Sequence, residues 1–313
     1  MDKAIQKACQ DIKTIKIQGA TNVALSVAMA LKSLARVRKW KSRAEFIREI
    51  AAAGNYLANA RPTEPMADNV VEFVRFYLQR NAKLSIVELK EILNDKINGF
   101  FALTQGNADL INKYGERLIK NNDRLFTHCH ASTVMNILKT AKRNKKRFQV
   151  FQTETRPLFQ GHKTAMELFK NKINDTLVVD SAAPFLMSPI SGKAFSIDKV
   201  IIGCDAIARD GSCVNKVGSF GIAQSAYLNK IPVYIATQAL KMNEDARDLA
   251  AIKIEKRPAK EVWAGAPKGL KIYNPAFDRV PAGYITGYIC EFGIVRPKEL
   301  FNKIKKNYPW LWA

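Results

Sequence analysis

The sequence predicts an α/β protein in which an N-terminal helical domain precedes a Rossmann-like domain built on a parallel sheet. Two observations support this fold class. Apolar residues recur at helical spacing through about the first 120 residues. After that point, short apolar strands alternate with helical stretches of ten or more residues, the pattern of a parallel sheet covered by helices. We therefore expect domains at 1–121 and 122–313.

Four helices are predicted in the first domain from the spacing of their apolar residues. Short breakers such as Gln18-Gly19 and the Pro-containing stretch 60–65 separate them. The expected ranges are 20–34, 43–57, 68–78 and 85–120.

The second domain is predicted to alternate strands and helices. Its expected strands are 124–127, 147–153, 176–179, 199–203 and 232–236, and its expected helices are 133–144, 161–172 and 218–228. No Gly-x-Gly-x-x-Gly follows any of these strands, and no Gly-x-x-x-x-Gly-Lys-Ser/Thr occurs. The sequence therefore does not indicate a dinucleotide or P-loop nucleotide site.

Length and composition are those of a soluble globular protein. The chain has 313 residues, of which 47% are hydrophobic, enough for one large α/β unit or two domains. It contains no run of eighteen apolar residues, and its first residues lack the apolar core of a signal peptide. We expect a cytoplasmic protein without a membrane partner.

The charge balance is strongly basic. Fifty Lys and Arg against 28 Asp and Glu give a net charge of +22, which favours anionic partners such as phosphorylated metabolites or nucleic acid. The densest basic run, 139–147, lacks interleaved aromatic residues that would stack on bases. We interpret it as the solvated end of a helix, where it offsets the helix dipole, and do not expect nucleic acid as the partner.

The cysteines and histidines do not indicate a disulfide framework or a metal site. The five cysteines are scattered, with no Cys-x-x-Cys pair and no zinc-site spacing. His128 and His130 flank Cys129, but alternation along a strand would put both on the opposite face from the thiol. We expect neither metal nor redox cofactor.

Polar residues follow each of the predicted strands. The carboxyl ends of parallel strands share one edge of a sheet, so these residues are expected to converge there. They are Cys129, Glu154-Thr155-Arg156, Asp180-Ser181, Asp205 and Thr237-Gln238-Ala239-Leu240-Lys241. The collective pattern predicts an active site at that edge.

Cys129 and Asp205 are the residues best suited to proton transfer. Cys129 precedes a predicted helix whose N-terminus would favour the thiolate, as base or nucleophile, although a buried structural cysteine is an equally good interpretation. Asp205 follows a buried strand, where burial raises the pKa of a carboxyl and suits it to exchange protons; a cap or turn is the alternative. Cys204, on the other strand face, is expected to pack.

Basic residues near these strand ends are candidates for binding an anion. Asn215-Lys216 is expected to open a helix and, with Gly218, to hold a phosphate through backbone amides and an ammonium group. Arg156, in a turn directly after a strand, is a stronger candidate than Arg61 or Lys241.

Taken together, these segments resemble the family that unites the α, β and δ subunits of translation initiation factor 2B with two sugar-phosphate isomerases, acting on methylthioribose 1-phosphate and ribose 1,5-bisphosphate. The resemblance covers nearly the whole chain. It rests on Ile17-Gln18-Gly19-Ala20, Ala60-Arg61-Pro62-Thr63, Thr127-His128-Cys129, Thr153-Glu154-Thr155-Arg156-Pro157, Gly203-Cys204-Asp205-Ala206-Ile207, Val214-Asn215-Lys216-Val217-Gly218, Asn274-Pro275-Ala276-Phe277-Asp278 and Pro281.

The resemblance implies an isomerase, because Cys129 and Asp205 stand at the positions of a catalytic pair that the translation-factor subunits generally lack. It also implies a set of residues that hold sugar hydroxyls and phosphates: Gln18, Gly19, Ala20, Arg61, Arg156, Gln160, Asn215, Lys216 and Lys241. Gln18 departs from the family pattern, which has arginine there. Its amide cannot supply the bidentate phosphate clamp of a guanidinium.

The implied reaction is conversion of ribose 1,5-bisphosphate to ribulose 1,5-bisphosphate, a step that links nucleotide breakdown to carbon fixation in archaea. The division of proton transfer between Cys129 and Asp205 stays open. Methylthioribose-1-phosphate isomerase is the enzymatic alternative, and a noncatalytic regulatory subunit that binds a sugar phosphate or nucleotide is the other. Gln18 and the charge of +22 favour that regulatory reading, whereas the Cys129 and Asp205 pair opposes it.

The resemblance further implies a homo-oligomer, a dimer or hexamer, and leaves room for a nucleotide effector. The apolar segment 308–312 is suited to burial in a subunit contact or, equally, in the core of its own subunit.

Overall fold

The computed structural model describes residues 2–17 and 19–312. Their packing gives two compact units. The first comes from Met1–Asn107, Leu240–Glu244 and Asn302–Ala313, and the second from Ala108–Ala239 and Asp245–Phe301. Within the described residues, no helix combines the length and apolarity needed to cross a bilayer.

Helices dominate the first unit. They are α1 (Lys3–Lys13), α2 (Ala20–Val37), α3 (Arg43–Ala58), α4 (Met66–Arg80) and the first part of α5 (Ile86–Leu118). Ser42 caps α3, its hydroxyl accepting from Glu45 N at 3.1 Å. A reciprocal capping box starts α5, where Ser85 N donates to Glu88 Oε2 at 2.7 Å and Glu88 N donates to Ser85 Oγ at 3.3 Å.

The segment 308–312 docks within the first unit. Trp310 is buried and its ring meets Phe73 of α4 edge to face, with centroids 5.0 Å apart. Tyr308 accepts a hydrogen bond at its hydroxyl from Asn107 Nδ2 at 2.9 Å. Burial in the core of its own subunit, which was one of the two expectations for this segment, is confirmed.

Strands and helices alternate in the second unit. Its principal elements are β1 (Arg124–Thr127), α6 (Ser132–Arg143), β2 (Gln149–Thr153), α7 (Gln160–Lys170), β3 (Asn174–Val178), α8 (Ala183–Met187), β4 (Lys199–Ile202), β5 (Ala206–Ile207), β6 (Cys213–Lys216), α9 (Ser219–Leu228), β7 (Val233–Ala236), β8 (Phe277–Val280), β9 (Gly287–Cys290) and β10 (Gly293–Val295), followed by α10 (Pro297–Asn307), which ends in the first unit.

A seven-stranded sheet in the order β10-β9-β7-β4-β1-β2-β3 organises this unit. All of its pairings are parallel except that of β10 with β9. Leu125, Val150 and Ile201 of the sheet share a buried cluster with Ile137 and Leu138 of α6. The expected Rossmann-like parallel sheet is confirmed.

The structure contains a second sheet that was not predicted from the sequence. It contains β5, β6 and β8, all antiparallel. β5 is only two residues long, and β6 mixes buried and polar residues. Such short strands carry too few alternations to produce a sequence signal. The strand β6 contains Asn215 and Lys216, which were expected to open a helix; that helix, α9, begins at Ser219.

The compact units divide the chain at different places from the expected boundary at residue 121. The helix α5 runs unbroken across the division at Asn107, and its Ile111 belongs to the core cluster of the second unit. Residues 240–244 and the C-terminal residues from Asn302 belong to the first unit. A continuous helix hides such a division from sequence, because its apolar spacing does not change there.

Two lysines of the basic run 139–147 make ion pairs. Lys139 Nζ lies 2.8 Å from Glu167 Oε1, and Lys146 Nζ lies 2.7 Å from Glu116 Oε1. The run covers the last turn of α6 and the loop beyond it. This position agrees with its interpretation as a charged helix end.

Candidate active site

The candidate site lies where the order of the main sheet reverses. From β1 the chain moves outward through β2 to β3, and then returns to place β4 on the other side of β1. Ligands of open parallel sheets bind at such a switch point, beyond the carboxyl ends of the strands. Cys129 follows β1 and Asp205 follows β4, so the two predicted catalytic residues flank it.

Cys129 occupies a backbone conformation that few non-glycine residues adopt. Its φ is +65°, in the left-handed region. Its amide donates to Thr155 Oγ1 at 3.0 Å, and its carbonyl accepts from Thr164 Oγ1 at 2.9 Å. Backbone held in this region by its surroundings is a frequent feature of functional sites.

The thiol of Cys129 is protonated at neutral pH. Burial is the main cause that raises its pKa to about 11, and the negative charges of Asp205 and Asp180 add to it. The Lys216 ammonium and the His130 amide lower the pKa but do not compensate. Of the two interpretations of Cys129 left open by the sequence, this shift favours the buried cysteine over the thiolate, because desolvation disfavours the charged form.

A buried amide orients Asp205. With the Asn215 amide placed so that its oxygen accepts from Ser219 Oγ at 2.8 Å, its nitrogen lies 3.3 Å from Asp205 Oδ2 and 3.3 Å from the Gly203 carbonyl oxygen. Gly203 also allows a close approach, since a Cβ there would lie 2.7 Å from Ala131 Cβ. Asn215 thus positions the carboxylate whose charge acts on Cys129.

The strand alternation expected at the two neighbouring histidines is not observed. Strand β1 ends at Thr127, so alternation does not extend to His128, Cys129 and His130. His128 is buried, with Nδ1 2.5 Å from Thr153 Oγ1 and Nε2 2.9 Å from the Val217 carbonyl oxygen. His130 Nδ1 lies 3.0 Å from Thr164 Oγ1. Hydrogen bonding is thus the role of both rings.

The turn after β2 carries Arg156, and Asp180 holds that turn in place. Asp180 accepts from Thr155 N at 2.8 Å through Oδ1 and from Arg156 N at 2.6 Å through Oδ2. The Arg156 guanidinium lies 5.0 Å from the centroid of the Phe159 ring and donates to the Val262 carbonyl at 2.7 Å. The peptide bond between Arg156 and Pro157 is cis.

Gln160 opens α7 beside this turn. Its Oε1 is buried and accepts no hydrogen bond from any residue that the structure describes. The next residue, Gly161, packs so tightly that a Cβ would lie 1.9 Å from the Thr153 carbonyl oxygen. The start of α7 is thereby fixed against the end of β2, with an unused acceptor at its first residue.

The predicted use of the α9 N-terminus as a phosphate site is wrong for two of its amides. Gly218 N and Phe220 N donate to Asp278 Oδ2 at 2.7 and 3.0 Å, so a carboxylate of the chain itself caps this helix. Burial raises the pKa of Asp278 to about 6, and those two bonds offset part of the shift. The Lys216 ammonium is 5.0 Å from the centroid of the Phe277 ring.

The other predicted ligand residues belong to the first unit. Gly19 has a φ of +86° at the N-cap of α2, and the buried Ala20 starts that helix. Arg61 NH1 makes a buried ion pair with Glu64 Oε1 at 2.8 Å. Lys241 is half-buried. Gln18 lies outside the described residues.

Sequence reasoning missed Asn69, which holds the segment containing Lys241. The Asn69 Nδ2 donates to the carbonyls of Leu240 and Met242 at 2.7 and 2.8 Å. Asp180 was among the polar strand ends but nothing marked it as a support for the Arg156 turn. Asn69 lies inside an apolar helix pattern, and no local signal could connect it with residues 171 and 173 positions away.

The fold and the site define the chain as an α/β protein with a thiol, a carboxylate and an ammonium gathered at the switch point of a parallel sheet. Residues 16–297 match the model of the Initiation factor 2 subunit family. The chain belongs to this family, as its sequence motifs predicted.

Named relatives in this family include isomerases and translation factors. The chain is 35% identical over 311 residues to ribose 1,5-bisphosphate isomerase from Methanocaldococcus jannaschii, covering 98% of this chain and 96% of the relative. It is 31% identical to methylthioribose-1-phosphate isomerase from Heliobacterium modesticaldum, with coverage of 93% and 87%. The structure of translation initiation factor eIF-2B from Pyrococcus horikoshii superimposes with a TM-score of 0.80 at 25% identity, covering 95% of this chain and 98% of that one.

Proposed function

We propose that this protein is an aldose-ketose isomerase that converts ribose 1,5-bisphosphate to ribulose 1,5-bisphosphate. The observation that carries the proposal is the placement of Cys129 and Asp205 on either side of the β1 and β4 switch point, where the carboxylate charge acts on the thiol. The similarity to the isomerase of Methanocaldococcus jannaschii along almost the whole chain supports the choice of substrate.

The reaction moves protons and needs no other group transfer. The bond between C1 and the ring oxygen breaks as that oxygen takes a proton, and removal of the C2 proton gives an enol phosphate. Loss of the C2 hydroxyl proton and protonation of C1 then complete the ketose. The protein must therefore supply a proton donor first, a base at carbon next and a base at the C2 hydroxyl.

Cys129 and Asp205 divide these tasks. The protonated Cys129 thiol gives its proton to the ring oxygen, and the thiolate then takes the proton from C2 and returns it to C1. The Lys216 ammonium favours the transient thiolate. Asp205 takes the proton of the C2 hydroxyl, oriented by Asn215, and proton return from Asp205 to Cys129 resets the site.

Substrate contacts follow from the remaining polar groups. The buried Gln160 Oε1 is suited to accept from a sugar hydroxyl, and the Arg156 guanidinium to pair with a phosphate. Gly19, Ala20, Arg61 and Lys241 are proposed as further substrate contacts on the basis of the family resemblance alone. We propose a cytoplasmic homo-oligomer acting in AMP breakdown.

Product analysis with the two catalytic variants tests the proposal. We expect the wild-type protein to form ribulose 1,5-bisphosphate, and Cys129→Ser and Asp205→Asn to lose that turnover while keeping their fold. Methylthioribose 1-phosphate is assayed alongside, because the Heliobacterium modesticaldum relative carries that name. Preference for that substrate would change the assigned sugar, and folded protein inactive on both would move the assignment to a noncatalytic sugar-phosphate or nucleotide-binding subunit.

A further inference from the structure

A histidine that the proposed chemistry does not use lies at the centre of the site. His128 is 1% exposed, and both of its ring nitrogens have hydrogen-bond partners. The Val217 carbonyl can only accept, so Nε2 carries the proton and donates to it. In the neutral ring Nδ1 is then the acceptor, and the Thr153 hydroxyl donates to it.

One side of this ring leads to Cys129. Thr153 Oγ1, 2.5 Å from Nδ1, is 3.3 Å from Thr155 Oγ1, which accepts from the Cys129 amide at 3.0 Å. Thr155 itself has a φ of +62°. The chain of hydroxyls therefore joins the imidazole to the backbone turn in which Cys129 is held at positive φ.

The other side leads to the segment that carries Asn215 and Lys216. Val217, whose carbonyl accepts from Nε2, directly follows Lys216. At Gly218 (φ +109°) a Cβ would lie 3.0 Å from the imidazole Nε2, so the backbone of this segment rests against the ring. The imidazole therefore spans the gap between the thiol turn and the turn after β6.

We propose that neutral His128 is a positioning residue, which fixes Cys129 relative to the Lys216 ammonium and the Asn215 amide by joining Thr153 to Val217. This role rests on the proposed isomerase function. A positioned thiol needs its partners within a fraction of an ångström, and a misplacement of about 1 Å costs on the order of 100-fold in rate. The charged groups that act on the imidazole are Asp180 and Lys216.

Three substitutions separate the two hydrogen bonds. His128→Asn keeps an acceptor near Nδ1 for Thr153 and loses the donor to Val217. His128→Gln places an amide donor near the position of Nε2 and loses the acceptor for Thr153. Thr153→Val removes only one hydroxyl, so it tests the link even when the His128 variants fold poorly. The control is His162→Asn, at an exposed position of α7.

The expected result is a loss of kcat of about 100-fold in both His128 variants, with KM within about threefold of the wild-type value. Thr153→Val should lose kcat in the same direction. The double variant that combines Thr153→Val with His128→Gln should be no slower than His128→Gln alone, because each substitution removes the same hydrogen bond between Thr153 and His128. Unchanged kcat in folded His128 variants with a lowered Tm would overturn the proposal and leave only a structural role.

Alkylation of Cys129 by iodoacetamide tests the same role without turnover. Release of the thiol turn should change the alkylation rate by tenfold or more in His128→Gln and Thr153→Val, and His162→Asn should match the wild type. Rates unchanged in all variants would refute the positioning role. If the wild type does not isomerise ribose 1,5-bisphosphate, the proposed function fails but this measurement still decides about His128.

Discussion

The protonated state of Cys129 gives the sharpest test of the site's electrostatics. Burial raises the thiol pKa to about 11, and Asp205 and Asp180 act in the same direction. Lys216 opposes them. Removing a carboxylate charge by Asp205→Asn should therefore lower the Cys129 pKa, and removing the ammonium by Lys216→Met should raise it.

The magnitude follows from the shift. The ordinary thiol pKa is 9.0, so a pKa of about 11 corresponds to about 3 kcal/mol and a thiolate fraction about a hundredfold smaller. At pH 8 about one Cys129 in a thousand is a thiolate, whereas an unperturbed thiol would reach about one in ten. Because only the thiolate is alkylated at a useful rate, modification should be about a hundredfold slow.

The assay is the rate of iodoacetamide modification between pH 7 and pH 10, followed by peptide mass spectrometry. Cys9, Cys204, Cys213 and Cys290 are all buried, and only Cys129 is partly exposed. The Cys129→Ser variant gives the background from the other thiols. Cys204 packs as expected, its Sγ donating to the Ala206 carbonyl at 3.1 Å.

Two results would refute this reasoning. A wild-type rate that levels off near pH 8 would mean that the thiol is not desolvated and that the N-terminal field of α6 prevails. A faster rate in Lys216→Met than in the wild type would contradict the assigned sign of the ammonium's effect. At any one pH, alkylation should be fastest in Asp205→Asn, slower in the wild type and slowest in Lys216→Met.

Three further predictions concern stability. Burial lowers the pKa of His128 to about 4, below its value of 6.5 in the unfolded chain, so the unfolded state binds more protons between these two pH values. The free energy of unfolding present above pH 6.5 should therefore fall by about 3 kcal/mol as the pH drops to 4. Nuclear magnetic resonance of the labelled ring should show titration near pH 4 and a proton on Nε2. The pH dependence of stability due to Asp278 has the opposite sign, because its folded pKa of about 6 lies above the ordinary value of 3.8. The Tm of Asp278→Asn should therefore rise relative to that of the wild type as the pH increases from 4 to 7. A Tm difference that stays constant over this range would argue against a buried charge. Gly161→Ala should lower Tm strongly, because the new Cβ would lie 1.9 Å from the Thr153 carbonyl oxygen. The control Gly99→Ala, with open space on the exposed face of α5, should raise the free energy of unfolding by about 1 kcal/mol. Equal effects of the two substitutions would show that helix propensity alone decides the stability.

The main elements of the fold were predictable because long periodic patterns are local. Strand β1 matches its predicted range 124–127, and the helix predicted over 43–57 ends one residue later, at Ala58. Helices α8 and α10, the small sheet and the strands β9 and β10 were not predicted. Their apolar runs are short, and their strands pair with residues far along the chain, such as Val214 with Arg279.

For the site, the sequence by itself named the two residues that we propose to carry the chemistry. Cys129 and Asp205 followed from two observations, polar groups after apolar strands and matching family motifs, and neither required coordinates. The order of strands then decided that β1 and β4 are neighbours, which brings the two residues to one switch point.

Only the tertiary structure decided the protonation state of Cys129 and the residues that hold the site in place. Whether Cys129 is a thiol depends on desolvation and on charges up to 87 positions away in the chain, and the local helix signal pointed the other way. The same holds for the amides of α9, which Asp278 occupies from a strand 60 residues later. Electrostatic effects act through space, so a sequence names the groups that can titrate, and packing sets their pKa values and partners.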